Sequence, residues 1–593
     1  MTDLEELCNS ISKYDEFTLY FYHIYKKNPT YSYDYLVKLA LRNKQKNWSK
    51  SYRKVTKIIL LESYLSLVDK NKLVPDETFR KLLIRKAGRS LRGILNVTVM
   101  TSPEPQYLDE NGVYQVQKFT CKHNCYFCPH EKDENGKELM PRSYLRKEPA
   151  CQRAERNKFD PIEQTYDRIE AYEKMGHPID KIELIVLGGT VLEYPRQYLT
   201  WFTTQCFYSC NTYPYKNSRK MLSLEEEQKI NETSNVRIIG YTLETRPDGI
   251  TDESVYFLRN LGVTRMQIGI QHTSNRILKK VNRGHTVEDS MKAIRILKDS
   301  GLKIIAHLMP DLPFVTKKED KEMFNEILYN QLLLCDEYKV YPCVATDYTV
   351  IKKWAEQGKY KHHVDVDPNY LQDVIGDFMK KVKPWVRVPR IIRDIPNDYI
   401  HYGNKEGHLR EKITNAVESQ EIRGREIMDT ELTKYPIMKV DKFISSDCTE
   451  YFIRYVTNTV SEKDSKILGF CRLRLNRCTN PYLPELHGKC AIIRELHVYG
   501  KTTVVNSLVK EGVQHLGLGQ KLVRKAEQIA FLNGFQEIAI TSGIGVRNYY
   551  RNKLGYELDG LYMKKNLILT YVPIIFQVFL LIWIMISSIC LLY

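Results

Sequence analysis

The sequence predicts an α/β protein: two α/β units in tandem, preceded by a helical, basic N-terminus and followed by a C-terminal transmembrane helix. Three observations lead there. Between about residues 90 and 400, short β-rich runs alternate with helical stretches. From about residue 436 to 565 a strand, a glycine-containing loop, an amphipathic helix and a further strand follow one another. No charged residue stands between Asn566 and Tyr593. A chain of 593 residues has room for roughly three or four domains.

Residues 1–85 read as helical and basic. Seven Lys or Arg residues stand between Arg42 and Lys57, with Trp48 and Tyr52 among them. That mixture suits phosphate contacts with base stacking, although a solvated helix face has the same look. The formal charge of +17 favours a polyanionic partner, either nucleic acid or an acidic membrane face, over a generally basic surface with no specific partner. With 43% hydrophobic and 27% charged residues, global disorder is excluded. Asp3, Glu5 and Glu6 precede any apolar run, which excludes a signal or transit peptide. Most of the 14 cysteines stand singly (Cys8, Cys151, Cys335, Cys448), which points to a reducing compartment.

Residues 86–400 form the first unit. Its clearest strands are Lys181–Leu187, Arg237–Leu243, Arg265–Ile270 and Lys303–Leu308, with helical patterns such as Thr286–Ser300 between them. Such alternation means βαβ units around a parallel sheet, either open or closed into a partial or full barrel. A distinctive cluster follows each strand: Gly188-Gly189-Thr190, Glu244-Thr245-Arg246-Pro247-Asp248, Gln271-His272 and Met309-Pro310-Asp311. Active sites of parallel α/β folds assemble at C-terminal strand ends, so all four clusters are expected to face one cavity.

Ahead of these strands lies Cys121-Lys122-His123-Asn124-Cys125-Tyr126-Phe127-Cys128. Three thiolates on one tight loop can ligate three irons of a 4Fe–4S cluster and leave the fourth iron open. A Cys3His zinc site using His123 and plain thiols are the competing readings. The spacing, with an aromatic residue before the last cysteine, resembles the radical S-adenosylmethionine superfamily. The resemblance implies that the open iron takes the methionine end of S-adenosylmethionine, whose reductive cleavage gives a 5′-deoxyadenosyl radical. A glycine pair at a strand end lets backbone approach a ligand closely; the superfamily uses the position of Gly188, Gly189 and Thr190 to hold the cofactor's amino-acid moiety.

Residues 401–435 read as a polar linker, and residues 436–565 as the second unit. There the strand Ile492–Val498 precedes Gln514-His515-Leu516-Gly517-Leu518-Gly519, and a helix with Leu522, Val523, Ala526, Ile529 and Ala530 on one face follows. Glycines just before a helix expose N–H groups to a pyrophosphate at the positive end of the dipole. The order of strand, Q-x-x-G-x-G and helix resembles the coenzyme A signature of GCN5-related acetyltransferases. Tyr549 and Tyr550 fall where that fold often places a tyrosine at the thioester; interfacial packing is the alternative. The uncharged tail, 567–593, is long enough to span a bilayer. Lys564 and Lys565 stand on its cytosolic side, so the expectation is a tail anchor holding the body at the cytoplasmic face of an intracellular membrane.

The combination of both halves is similar to the Elongator complex protein three family, the catalytic subunit of Elongator. Strings that carry the resemblance include Gly176-His177, Asp180-Lys181-Ile182-Glu183, Asn282-Arg283-Gly284-His285-Thr286, Ala306-His307-Leu308-Met309-Pro310-Asp311, Arg393-Asp394-Ile395-Pro396 and Arg494-Glu495-Leu496-His497-Val498-Tyr499-Gly500, over roughly residues 80–565. The resemblance implies a partial (β/α) barrel radical S-adenosylmethionine domain, then a GCN5-related N-acetyltransferase domain. It implies an acyltransferase that joins an acetyl-CoA-derived carboxymethyl group to C5 of the wobble uridine of tRNA, giving 5-carboxymethyluridine. Its cofactors are a 4Fe–4S cluster on Cys121, Cys125 and Cys128, S-adenosylmethionine, and acetyl-CoA. Acetyl-CoA contacts are expected from Lys181, Glu495, Leu496, His497, Val498, Gln514, Gly517, Leu518, Gly519, Gln520 and Tyr550, with Tyr549 and Tyr550 as catalytic candidates. Arg89 and Arg92 are expected on tRNA. Other Elongator subunits, a second copy of the chain and the membrane complete the expected partners. Departures from the family are an insertion at Glu104–Phe119 and the run Glu421-Ile422-Arg423-Gly424-Arg425-Glu426, which lacks the cysteines some relatives carry. The rival readings are a protein lysine acetyltransferase with Glu495 or His497 as base, and a membrane-tethered tRNA-binding module without catalysis.

Overall fold

The computed structural model describes residues 2–42, 55–85, 93–427, 434–459, 464–499, 517–573 and 577. The N-terminal helices Thr2–Lys27, Tyr33–Leu41, Lys57–Asp69 and Glu77–Leu83 close around Phe17, Phe21, Tyr25, Tyr64 and Phe79, an aromatic core of their own. Ser32, Thr56 and Asp76 cap three of them through their side chains. Most of the Arg42–Lys57 run, with Trp48 and Tyr52, lies outside the described residues, as do Arg89 and Arg92.

The first unit contributes β1 (Leu95–Met100), β2 (Gln106–Leu108), β3 (Tyr114–Val116), β4 (Lys181–Leu187), β5 (Arg237–Thr245), β6 (Arg265–Gln271), β7 (Lys303–Leu308), β8 (Glu337–Val340), β9 (Val344–Thr346), β10 (Arg387–Arg390) and β11 (Ile400–Gly403). Seven of these form one sheet in the order β1-β4-β5-β6-β7-β8-β10, and each neighbouring pair is parallel. Among the described residues β1 and β10 do not pair, so the sheet is not closed into a full barrel but forms a partial one. The stretch Glu104–Phe119, expected as an insertion, holds the β2–β3 hairpin. Helices over the convex face are started by reciprocal caps: Thr286 accepts from Asp289 N–H while Asp289 accepts from Thr286, and Thr316 and Glu319 repeat the device. Ile182, Leu184 and Val186 of β4 are buried in the core of this unit. Glu183, Ile185 and Leu187 face the hollow side instead.

The stretch 401–435, expected as a linker, holds packed structure. Helices Leu409–Ala416 and Ile422–Arg425 bury Leu409, Ile413 and Ile422. Beyond it come β12 (Ile437–Ser445), β13 (Cys448–Val456), β14 (Ile467–Arg474), β15 (Cys490–Val498), β16 (Glu537–Ile540), β17 (Glu557–Asp559) and β18 (Tyr562–Asn566). They form a second sheet, β12-β13-β14-β15-β16-β18-β17. Its β15–β16 pair is parallel and stops at Ile493 opposite Ile540, so the rest of β15 splays away from β16.

The two sheets share a core. Ile492, Ala539 and Tyr562 are buried together with the half-barrel strands, and backbones approach closely at Gly543. A Cβ there would lie 2.1 Å from the Ile239 carbonyl oxygen. Gly543→Ala is therefore expected to destabilise the protein by about 1–3 kcal/mol, read as a lowered thermal midpoint. Charge joins the units too. Arg494 on β15 donates to Asp336 Oδ1 and Oδ2 at 2.5 and 2.9 Å and to Glu450 Oε2 at 2.9 Å. Lys298 and Arg474 also reach Glu450, at 3.1 and 2.8 Å.

The expected C-terminal transmembrane helix, and with it the tail-anchored membrane localisation, is corrected. Among the described residues no helix is long and apolar enough to cross a membrane. The start of the supposed span is instead bound to the second unit. Residues 567–573 are helical, Leu567 is fully buried, and Tyr571 stacks on Phe531 at 5.4 Å and donates to Glu527 Oε2 at 3.0 Å. Of residues 574–593, all but Gln577 lie outside the described part.

Candidate active site

The cysteine loop sits at the C-terminal end of the half-barrel, among the strand-end clusters. Thr190 Oγ1 donates to Cys121 Sγ at 3.5 Å. Arg246 and Arg283 each aim a guanidinium N–H at Cys125 Sγ, at 3.6 and 3.4 Å. Burial, and then the neighbouring Cys125, push the Cys128 thiol up to about 12, with Cys121 adding to the same effect; the three sulfurs are close enough to feel one another. Among the described residues no three His, Cys, Asp or Glu side chains converge on a single ion. One zinc ion needs that convergence, whereas cluster thiolates each take a separate iron. His123 is also turned away, toward Glu193 and Asp248 at 3.6 and 3.9 Å. The donor set therefore fits a cluster and does not fit Cys3His zinc.

Beside the loop, Gly188 N–H and Gly189 N–H donate to Glu244 Oε1 at 3.0 and 2.7 Å, and the Tyr144 hydroxyl donates to the same oxygen at 2.5 Å. Gly189 has φ +77°, and a Cβ on it would lie 2.6 Å from the Arg142 carbonyl oxygen. Gly189→Ala is expected to weaken S-adenosylmethionine binding at least about tenfold, measured by titration, because strain of 1–3 kcal/mol falls directly on this cradle.

At the other end of the lumen, Gly517 (φ +65°) starts the helix Leu518–Leu532. Gly519 lies against the Tyr549 hydroxyl, which a Cβ would meet at 2.7 Å. Tyr549 is partly exposed, and Tyr550, buried, packs edge-on against it with ring centres 5.4 Å apart. Leu496 and Val498 are partly buried against the core of the second sheet. Leu518 is fully buried in that core and has only backbone to offer a ligand. Lys181 stands beside Asp180 at 3.9 Å, with its pKa lowered by burial. Glu495 is gripped by Lys303 at 3.0 Å and Arg472 at 2.9 Å; burial opposes ionisation, yet these cations hold its carboxyl well below the usual range. Gln514 lies outside the described residues.

One cavity of about 1660 Å³ connects the two ends. Cys121, Cys125, Cys128, Gly189 and Thr190 line one mouth, and Glu495, Leu496, His497, Val498, Gly517, Gly519, Gln520, Tyr549 and Tyr550 line the other, with Lys181 near it. The Radical SAM superfamily profile matches residues 119–327, the Radical SAM C-terminal domain profile residues 335–419, and the Acetyltransferase (GNAT) family profile residues 426–556. A protein named tRNA uridine(34) acetyltransferase from Methanocaldococcus infernus is 37% identical over 523 residues, covering 85% of this chain and 90% of the relative. Elongator complex protein 3 of Drosophila melanogaster is 33% identical over 523 residues, covering 86% and 90%. The solved Methanocaldococcus infernus Elp3, lacking its residues 1–46, superposes with a TM-score of 0.65 at 33% identity, over 80% of this chain and 99% of that one. The chain belongs to the Elongator complex protein 3 family.

The family's cofactors are a 4Fe–4S cluster with S-adenosylmethionine on the radical half and acetyl-CoA on the GNAT half. In the sequence, Glu244, Glu183 and His307 stand out only as members of motif strings, and Arg265, Gln267, Lys303, Glu337 and Lys339, which complete the lumen lining between the two mouths, belong to no motif. The signal was present. Parallel strands buried on both faces read as continuous apolar runs, whereas β6 (RMQIGIQ) and β8 (EYKV) interrupt the run with polar residues on one face and β7 (KIIAHL) does so at Lys303 and His307.

Proposed function

We propose that this member of the Elongator complex protein 3 family modifies C5 of the wobble uridine, uridine 34, of tRNA, converting it to 5-carboxymethyluridine with acetyl-CoA as carbon source. The observation that carries the reading is the single cavity with the cluster cysteines at one mouth and the acetyl-CoA motif at the other. When bound, the cluster and S-adenosylmethionine supply hydrogen-abstracting radical chemistry, and acetyl-CoA supplies the methyl to be activated.

The chain's own residues have definite tasks in this reading. Arg246 and Arg283 donate to Cys125 and so fix the place of its sulfur at the cluster end of the cavity. Glu244, with Oε1 taken by three donors, keeps Oε2 to accept from the ammonium of the cofactor's amino acid. Beyond Ile493, β15 has no strand partner on the β16 side among the described residues, which leaves its backbone to the amides of the pantetheine arm. The N-terminus at Gly517–Gly519 receives the pyrophosphate. Burial raises the Tyr550 hydroxyl well above its ordinary value, so it stays protonated and available to a departing thiolate. The charge of +17 supports tRNA as the polyanionic partner. Relatives named as an Elongator complex protein support assembly with further subunits.

The lysine acetyltransferase reading loses its base. Glu495 is doubly ion-paired, and burial brings His497 down to about 4, against the opposing pull of Glu495 and Glu426. Anaerobically reconstituted protein, incubated with tRNA, acetyl-CoA, S-adenosylmethionine and reductant, should yield 5-carboxymethyluridine by mass spectrometry of tRNA digests. Acetylated lysine in the absence of modified uridine would refute the proposal.

A further inference from the structure

Three lumen side chains on adjacent strands form a bonded set that no cofactor contact uses. Gln267 on β6 is 2% exposed. Its Oε1 is bonded to His307 Nε2 on β7 at 2.9 Å and accepts from the Lys339 ammonium on β8. Lysine has donors only, so the atom it meets must be the amide oxygen, and His307 must then donate through Nε2–H. That fixes the tautomer: a neutral His307 carries its lone pair on Nδ1. Neutrality is enforced by burial first, then by Lys339, Arg393, Arg283 and Arg390, which together hold the imidazole well below its ordinary pKa. Tyr341 packs edge-on against the ring at 5.3 Å and sets its plane. Lys339 is brought down to about 8 by burial and Arg390, so at neutral pH it stays mostly cationic with two further N–H groups to give.

Both His307 and Lys339 line the cavity between the cysteine mouth and the acetyl-CoA mouth. A ring entering there meets a donor on Lys339 beside an acceptor on His307. Uracil presents the complement, a ring carbonyl oxygen next to N3–H. Cytosine in the same pose sets the N3 lone pair against the His307 lone pair and, where the carbonyl met by Lys339 is O4, its amino group against Lys339. We propose that Lys339 and His307, held in place by Gln267, read the imide edge of the target uracil, Lys339 donating to a ring carbonyl oxygen and His307 Nδ1 accepting from N3–H. This rests on the uridine reading above and adds to it the groups that choose the base.

The test uses reconstituted protein and three anticodon stem-loop RNAs differing only at the target position: uridine, cytidine or 3-methyluridine. Fluorescence anisotropy should show the uridine loop binding roughly tenfold or more tighter than the other two. In Lys339→Met and in His307→Leu that ratio should shrink towards one, with affinity for the cytidine loop, iron content and S-adenosylmethionine affinity unchanged. Equal binding of the three loops by the wild type, or discrimination surviving in both variants, would overturn the proposal. So would variants that lose iron or S-adenosylmethionine along with discrimination, since the set would then serve the fold. Modified uridine is measured in parallel: wild type that makes none fails the functional reading, whereas product with discrimination unmoved by the variants fails this inference alone.

Discussion

In Cys125→Ala, production of 5′-deoxyadenosine and of modified uridine should fall together by at least about 10³-fold, because in the proposed reading Cys125 is a ligand of the cluster and its loss removes the radical source on which the whole rate enhancement depends. Cys125 is the most telling of the three cysteines. It is buried, while Cys121 is partly exposed, and it accepts from two guanidiniums, those of Arg246 and Arg283. Alanine leaves both near an apolar gap. Arg246 keeps Asp248 at 2.9 Å and Arg283 keeps the Gly269 carbonyl at 2.8 Å, so the half-barrel should stay folded. Iron content, 5′-deoxyadenosine and acetyl-CoA affinity separate the outcomes. Iron and radical product should be lost while acetyl-CoA affinity, set at the far end of the cavity, is kept. Retained 5′-deoxyadenosine formation would mean that the cluster is held elsewhere.

The second large effect concerns stability. Arg494→Met should cost about 3–5 kcal/mol, because Asp336 and Glu450, each 2% exposed, would lose the guanidinium they share. Glu450 retains Lys298 and Arg474, so the uncompensated charge falls chiefly on Asp336, leaving Arg472 at 3.7 Å as its nearest remaining cation. Denaturant unfolding is the measurement, and a loss below about 1 kcal/mol would contradict the network's role. The same pair sets an acid limit. Burial raises both carboxyls, but Arg494 and its neighbours outweigh burial and hold both below the ordinary carboxylate range. A depressed folded-state pKa contributes stability that is fully present above the unfolded value, about 4, and is lost as pH falls through the folded value. The wild type should thus lose stability steeply below about pH 4, and Arg494→Met should show a shallower acid limb.

Much of this architecture could be read from residue order, and the parts that could not have physical causes. The strands were visible because each carries its apolar run between turn residues, and the strand-end clusters because parallel sheets gather them at one edge. Glu244 was harder to read. Its role depends on Gly188, Gly189 and Tyr144 arriving at one oxygen, a convergence across 100 residues that spacing does not encode. His307 and Lys339 were similarly hidden, since a lone polar residue in a strand looks like a satisfied core group until its neighbours are known. The tail misled for the opposite reason. Absence of charge from Asn566 onward reads as bilayer-spanning, yet apolar Leu567 and Tyr571 are consumed in covering the second sheet and its helix. In the 401–435 stretch, polar residues outnumber apolar ones, but Ile413 and Ile422 fall where two short helices can bury them.

Central to this function is that the radical source and acetyl-CoA work in a shared cavity. Acetyl-CoA carrying a trideuterated methyl group tests it directly, in a reaction with tRNA, S-adenosylmethionine and reductant. Deuterium is expected in 5′-deoxyadenosine, with two deuterons retained in the methylene of 5-carboxymethyluridine, measured after exchange-free digestion. Unlabelled 5′-deoxyadenosine alongside labelled modified uridine would contradict it, because the acetyl methyl would then have been activated without the radical half of the chain.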